Sequence, residues 1–191
     1  MGKRTLLAAI VGGFVMFAWS ALAHMVLPLG EMGLSSIPAQ AESAVLEGLR
    51  ANLPGPGLYF YPGMTGQDAA AMAAWTEKVE TGPSGLLLYH PSGGAVMGAS
   101  TLLGEIGSDV LAALIAAIVL ANVAFEGLVP RAGLTALLGL FAWASISLST
   151  LIWYRYPAPF VVAEGVEQVV GWFLAGLAMA RLVRPATGLA S

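Results

Sequence analysis

Glu164, Glu167 and Gln168 have the spacing most suggestive of chemistry, because separations of three and four residues place side chains on one helix face. Carboxylates in an apolar layer bind a proton or a cation, or they pair with a basic side chain. With the nearby charged residues, the predicted cluster comprises Asp109, Arg155, Glu164, Glu167 and Gln168. We favour a structural ion pair of Arg155 with Glu164 or Glu167, since charge costs less near a membrane interface; a proton or cation site is the alternative.

A second candidate set consists of His24, Met25, Met32, His90 and Met97. Imidazole and thioether groups are ligands that suit copper, so these residues are a hypothesis for a soft-metal site. Their spacing matches no recognised ligand motif. Elsewhere the sequence has no nucleophile elbow and no phosphate-binding loop. We therefore expect no catalytic residues and no cofactor.

Composition places the chain in a membrane. Of its 191 residues 58% are hydrophobic and 10% are charged, whereas soluble domains carry about 25% charged residues. The chain contains no cysteine, which excludes disulfide bridges, thiolate catalysis and thiolate metal sites.

Four apolar runs, of which the first and third contain no charged residue, predict transmembrane helices at 5–27, 106–125, 132–154 and 160–180. The first run could instead be a signal peptide, because Ala21, Leu22 and Ala23 form a cleavage signature. Its length exceeds that of a signal core, so we expect an uncleaved anchor. Short connections predict that the last three helices pack as an up-down-up bundle.

Basic residues near the ends of the runs predict the orientation. One side carries Lys3, Arg4, Arg131, Arg181 and Arg184, and the other carries Arg155. Both termini are then cytoplasmic, in a multi-pass membrane protein. Residues 28–104 are extracytoplasmic, with six acidic and two basic residues and a net charge of −4. Such a lobe does not favour nucleic acid, whose phosphates bind basic residues.

The lobe itself has a regular pattern. Apolar residues every four positions predict an amphipathic helix after Pro38, and short aromatic or leucine-rich runs predict strands at 58–61 and 86–89. Thr65 with Asp68 resembles a capping box and predicts a helix from there to about Val79. Strand, helix and strand in this order predict a right-handed parallel unit.

The expected fold is therefore a mainly α membrane protein, with four transmembrane helices and a small α/β extracytoplasmic insertion between the first two. The expected segments are a cytoplasmic tip with the first helix (1–27), the lobe (28–104), helices two to four (105–181) and a cytoplasmic tail (182–191).

Several short motifs carry a resemblance. They are the run 19–28 that ends in Met25, Val26, Leu27 and Pro28, the segment 57–62, Gly82 and Pro83 followed by Tyr89, His90 and Pro91, and the tail 153–176. In these the chain resembles a group of bacterial inner-membrane proteins with four predicted spans. The resemblance implies a topology and no activity.

Two functional hypotheses follow. The first is a non-catalytic accessory or interaction subunit of a bacterial inner-membrane complex, with respiratory and photosynthetic complexes as the expected settings. Small residues four apart on the apolar runs support it, because they let helices pack closely. Its partners would be the lipid bilayer and other membrane subunits, or further copies of the chain. The alternative is a small transporter, or a protein handling copper or protons, that uses the outer carboxylates or the His and Met set.

Overall fold

The computed structural model describes residues 2–186, so the predicted tail 182–191 lies outside the described residues from position 187 onward. The chain divides into two compact units. Ser35–Ala95 form one unit, and from here on the name lobe, used above for 28–104, means these residues only. The segments before and after it form the other unit, which we call the bundle.

The elements follow one another as α1 (Lys3–Met25), α2 (Ala39–Asn52), β1 (Gly57–Tyr61), α3 (Ala69–Thr81), β2 (Gly85–Tyr89), α4 (Ala99–Ala121), α5 (Leu128–Tyr154) and α6 (Ala158–Leu182). A short 3-10 turn, Pro28–Glu31, follows α1. Helices α1, α4, α5 and α6 are long and apolar enough to cross a membrane. This confirms the prediction of a mainly helical protein with four helices able to cross a membrane.

All four long helices begin earlier than the sequence predicted, by two residues in α1 and α6 and by more in α4 and α5. Helix α4 starts at Ala99 and not at 106, because Glu105 lies on an exposed side of the helix and does not interrupt it. Helix α5 starts at Leu128 and not at 132. Pro130 falls in its first turn, where a missing N–H breaks no helical hydrogen bond. Asp109 thus becomes the eleventh residue of α4, well inside the helix.

The packing order of the bundle differs from the expected one. Helix α1 packs against both α4 and α6, and α6 packs against α5, whereas α4 has little contact with α5. Helices α5 and α6 pack together as the predicted bundle requires, but the main neighbour of α4 is α1 and not α5. Small residues explain the order: a Cβ on Gly13 would lie 2.7 Å from the backbone nitrogen of Val110, and one on Gly12 would lie 2.8 Å from Cγ of Met179. These glycines let α1 fit between α4 and α6.

In the lobe, the predicted amphipathic helix and both strands are present as α2, β1 and β2. The strands, however, are antiparallel, with Tyr61 opposite Gly85, so the predicted parallel unit is wrong. Gly85, the first residue of β2, pairs with Tyr61, the last residue of β1. The chain therefore re-enters the sheet beside the end of β1. Helix α3 begins at Ala69, with Asp68 as its N-cap accepting a hydrogen bond from the backbone N–H of Ala71 at 2.8 Å.

Candidate functional site

The predicted polar cluster centres on Glu167, the tenth residue of α6, about 14 Å along the helix from its start. Its Oε2 lies 3.0 Å from Nε2 of His24 in the last turn of α1. Its backbone carbonyl accepts a hydrogen bond of 3.0 Å from Nε1 of Trp19. The Glu167 side chain is 14% exposed and that of His24 is 55% exposed. Helix α1 thus holds both the backbone and the carboxylate of Glu167.

Two cavities adjoin the His24 and Glu167 pair, and both residues line each of them. The first cavity, of about 320 Å³, also has Trp143, Glu164 and Gln168 in its wall. The second cavity, of about 310 Å³, is lined by Phe17, Ser20, Ala21, His24, Met25, Met97, Leu102, Glu105 and Glu167. The pair is therefore a shared wall between an α1/α5/α6 space and an α1/α4/α6 space.

The segment after α1 packs against His24. A Cβ placed on Gly30 would lie 2.6 Å from Nδ1 of His24 and 2.9 Å from its Cα, so only glycine fits there without movement. Gly33, at φ +76°, takes the left-handed conformation that favours glycine, and it approaches the backbone nitrogen of Phe160. These two close approaches fix the connection between α1 and the start of α6 above the pair.

Asp109 belongs to the same end of the bundle but lies deeper. It shares the buried face of α4 with Ala113, Ala116 and Ala117, and is 9% exposed. Its Oδ2 has no hydrogen-bond partner among the described residues. Glu105, one turn earlier on α4, and Glu167 are close enough to act on it electrostatically.

The expected ion pair of Arg155 is not formed. Arg155 caps α5 in the left-handed conformation, at φ 55°, and is exposed. Within residues 2–186 no ion pair joins it to Glu164 or Glu167. The cap turns the chain toward α6 and leaves the guanidinium in the open, while His24 of α1 reaches Glu167. The sequence pattern did not predict that α1 provides the partner of Glu167.

The remaining members of the predicted cluster have separate roles. Gln168 accepts a hydrogen bond of 3.0 Å through Oε1 from Nε1 of Trp172, one turn along the same helix. Glu164 is half-buried in the wall of the first cavity. The face of α6 that continues through Gly171 packs against α1, since a Cβ on Gly171 would meet Met16 and Trp19.

The proposed soft-metal ligands are only partly brought together. His24, Met25 and Met97 line the second cavity, with Met25 70% and Met97 60% exposed. Met32 follows the 3-10 turn, and His90 belongs to the lobe. Among the described residues, no group of three or more His, Cys, Asp or Glu side chains is arranged to hold a metal ion.

Sequence reasoning missed Arg131, which is 3% exposed. Its guanidinium donates hydrogen bonds to the carbonyls of Leu120 at 3.0 Å, Ala180 at 3.1 Å and Val183 at 2.7 Å. It thereby joins the C-terminal ends of α4 and α6, whose last carbonyls lack helical partners. Because Arg131 follows Pro130 directly before the third apolar run, the sequence indicates a residue at the end of a membrane span. It does not indicate the hydrogen bonds to α4 and α6.

The lobe presents the second notable surface. Of its residues only Tyr89 is a buried hydrophobic residue, at 8% exposure. Leu58 and Leu88 are opposite each other in the sheet register and are 66% and 67% exposed. A groove of about 460 Å³ is lined by Ile37, Val45, Leu49, Leu53, Tyr59, Phe60, Tyr61, Leu86 and Leu87. The lobe therefore leaves much apolar surface uncovered.

Comparison of the chain with known protein families, with curated proteins and with solved structures finds no match.

Proposed function

We propose that this chain is a non-catalytic accessory subunit that binds a larger complex in a bacterial inner membrane, with respiratory and photosynthetic complexes as the expected settings. The observation that carries the proposal is the uncovered apolar surface of the lobe. A folded unit of this size normally buries a core, yet here Tyr89 is the single buried hydrophobic residue of Ser35–Ala95.

The physical argument is that such a surface is unfavourable in water. A two-stranded sheet is marginally stable unless its faces are covered. Leu58 and Leu88 form an exposed cross-strand pair, and burying a leucine side chain contributes about 1.5–3 kcal/mol. Contiguous exposed apolar patches mark sites of protein interaction. A partner that covers this pair would stabilise both the lobe and the complex.

Charge defines the kind of partner. Five acidic and two basic residues give the lobe a net charge of −3. Complementary potentials favour a partner surface with an apolar centre and a basic rim. Nucleic acid, which is itself anionic, is disfavoured for the same reason.

The bundle is proposed to anchor the lobe. Its lipid-facing surface would be formed by exposed apolar residues of the long helices, such as Phe14, Ile115, Phe141 and Val162. The distribution of basic residues supports cytoplasmic termini and an extracytoplasmic lobe. The resemblance to four-span bacterial inner-membrane proteins supports the same arrangement.

Site-specific photo-crosslinking in cells tests the proposal. A photoreactive side chain at Leu58 should yield one discrete adduct with another integral membrane protein, identified by mass spectrometry. The matched control is Glu47, which is exposed on α2 outside the groove, and should give little of that adduct. Adducts with lipid alone, or identical patterns at the two positions, would contradict the proposal. An adduct of twice the mass of the chain, containing this chain alone, would contradict a foreign partner and would show that the partner is a second copy of the chain.

A further inference from the structure

One end of the bundle brings together basic residues that are far apart in the sequence. The guanidinium of Arg131, near the start of α5, bonds to Leu120 at the end of α4 and to Ala180 and Val183 at the end of α6. A third cavity has residues from the start of α1 and from the end of α4 in its wall. The starts of α1 and α5 therefore meet the ends of α4 and α6. We call this region the basic end, and its basic residues are Lys3, Arg4, Arg131, Arg181 and Arg184.

The basic end has a large excess of positive charge. With its five basic residues and one acid, Glu126, its net charge is +4. Within residues 2–186 none of these side chains forms an ion pair. Arg131 is 3% exposed, and its Nε has no hydrogen-bond partner among the described residues, whereas the other four basic side chains are exposed. A potential of this sign attracts anions from outside the chain.

Apolar side chains border the charged groups. Leu6 and Leu7 follow Arg4 on α1 and are 45% and 50% exposed, while Leu128 and Val129 at the start of α5 are 38% and 65% exposed. Positive charge next to exposed apolar side chains matches a phospholipid, whose charged phosphate is joined to acyl chains. A small soluble anion would meet the charge and leave the apolar side chains uncovered. The combination therefore favours a lipid as the occupant.

The third cavity provides a place for the headgroup. Its volume is about 360 Å³, and its wall is formed by Gly2, Thr5, Ile118, Ala121 and Asn122. Lys3 and Arg4 lie between Gly2 and Thr5 in the sequence, so their long side chains are able to reach a phosphate beside this wall. Basic pockets between transmembrane helices are a recurrent way of binding lipid headgroups.

We propose that the basic end binds the headgroup of an anionic phospholipid, of which phosphatidylglycerol is an example, with its acyl chains against the apolar residues of α1 and α5. The headgroup contacts α1 and α4 together and neutralises part of the charge that the helix ends share. Lipid binding therefore stabilises the bundle. This inference goes beyond the proposed function, which concerns the lobe, and does not depend on it.

Native mass spectrometry of the full chain released from a neutral detergent tests the proposal. Phosphatidylglycerol, phosphatidylcholine with the same acyl chains, and inorganic phosphate are titrated separately. The wild type should form a discrete phosphatidylglycerol adduct with a Kd about 5–25-fold lower than that for phosphatidylcholine, because each basic side chain near the headgroup contributes about fivefold. This preference should decrease as the salt concentration rises.

Two double substitutions remove the same residue types at different places. Lys3→Gln with Arg4→Gln should lower the preference by about fivefold or more, whereas Arg50→Gln with Lys78→Gln, at exposed positions of the lobe, should retain it. Should the first variant fail to insert or fold, Arg181→Gln with Arg184→Gln decides by the same criterion. Equal affinities of the wild type for the two lipids would overturn the proposal. So would an equal response to inorganic phosphate, or the same preference in the variant of the basic end and in the control.

Discussion

His24 and Glu167 join the last turn of α1 to the interior of α6, with Nε2 of His24 3.0 Å from Oε2 of Glu167. The residues are separated by 143 positions in the sequence. A second bond, from Trp19 to the carbonyl of Glu167, acts between the same two helices. The pair therefore helps to hold α1 beside α6, two helices that are far apart in the sequence.

A double-mutant cycle should detect this pair. We expect His24→Ala and Glu167→Gln to show a coupling of about 0.5–1 kcal/mol, modest because His24 is half exposed to solvent. Unfolding in detergent monitored by tryptophan fluorescence provides the measurement. The matched cycle of His24→Ala with Glu164→Gln should be additive, and equal couplings in the two cycles would show that the contact has no energetic role.

Gly13→Ala should destabilise the bundle, although alanine normally favours a helix by about 1 kcal/mol over glycine. The added Cβ would lie within 2.7 Å of both the nitrogen and Cα of Val110, and a backbone cannot yield as a flexible side chain can. Gly133→Ala is the control, because nothing lies within 4 Å of its Cβ position. We expect a lower unfolding temperature for Gly13→Ala alone. Equal tolerance of both substitutions would mean that α1 does not pack closely on α4.

Arg131→Met should cost about 2–4 kcal/mol of unfolding free energy, because three charge-assisted hydrogen bonds are lost and carbonyls at two helix ends remain without donors. Arg131→Lys should recover only part, since an ammonium lacks the planar fork of a guanidinium. Arg181 provides the control: it is exposed and bonds within its own helix. Denaturant unfolding of Arg131→Met and Arg181→Met compares them, and similar losses would contradict the role assigned to Arg131.

The orientation can be tested separately from the packing. A reporter fused after Ser191 should be active only in the cytoplasm, and one inserted near Gly66 should be active only outside it. The physical reason is the clustering of basic residues such as Lys3, Arg4 and Arg181 at one end of the spans. An active external reporter at the C-terminus would overturn the proposed orientation.

Apolar runs were sufficient to find the four long helices, because a segment able to cross a bilayer is recognisable from length and composition alone. Local patterns were likewise sufficient for α2, β1 and β2. These features depend on residues close together in the sequence. The start of α4 was not predicted, because the apolar run begins only after Glu105, whereas an acid is tolerated on an exposed side of the helix.

Tertiary neighbours were not predictable in the same way. Helical spacing placed Glu164, Glu167 and Gln168 on one face, but it could not indicate that α1 would meet that face. Sequence proximity favoured Arg155 as the partner of Glu167, whereas the glycines of α1 admit that helix between α4 and α6 and bring His24 to it. The strand direction in the lobe was likewise not predictable, because the order of strand, helix and strand does not by itself determine whether β2 runs parallel or antiparallel to β1.

The central claim is that the lobe binds a partner through its exposed apolar surface, and native electrophoresis of mildly solubilised membranes tests it most directly. The wild type should migrate within a complex much larger than the 191-residue chain. The paired substitution Leu58→Lys with Leu88→Glu keeps the net charge and a favourable cross-strand contact, and it should release the chain to monomer size. Gly48→Lys, at an open position on α2, should remain in the complex. Migration of the wild type as a monomer, or an unchanged complex in the paired variant, would contradict the claim.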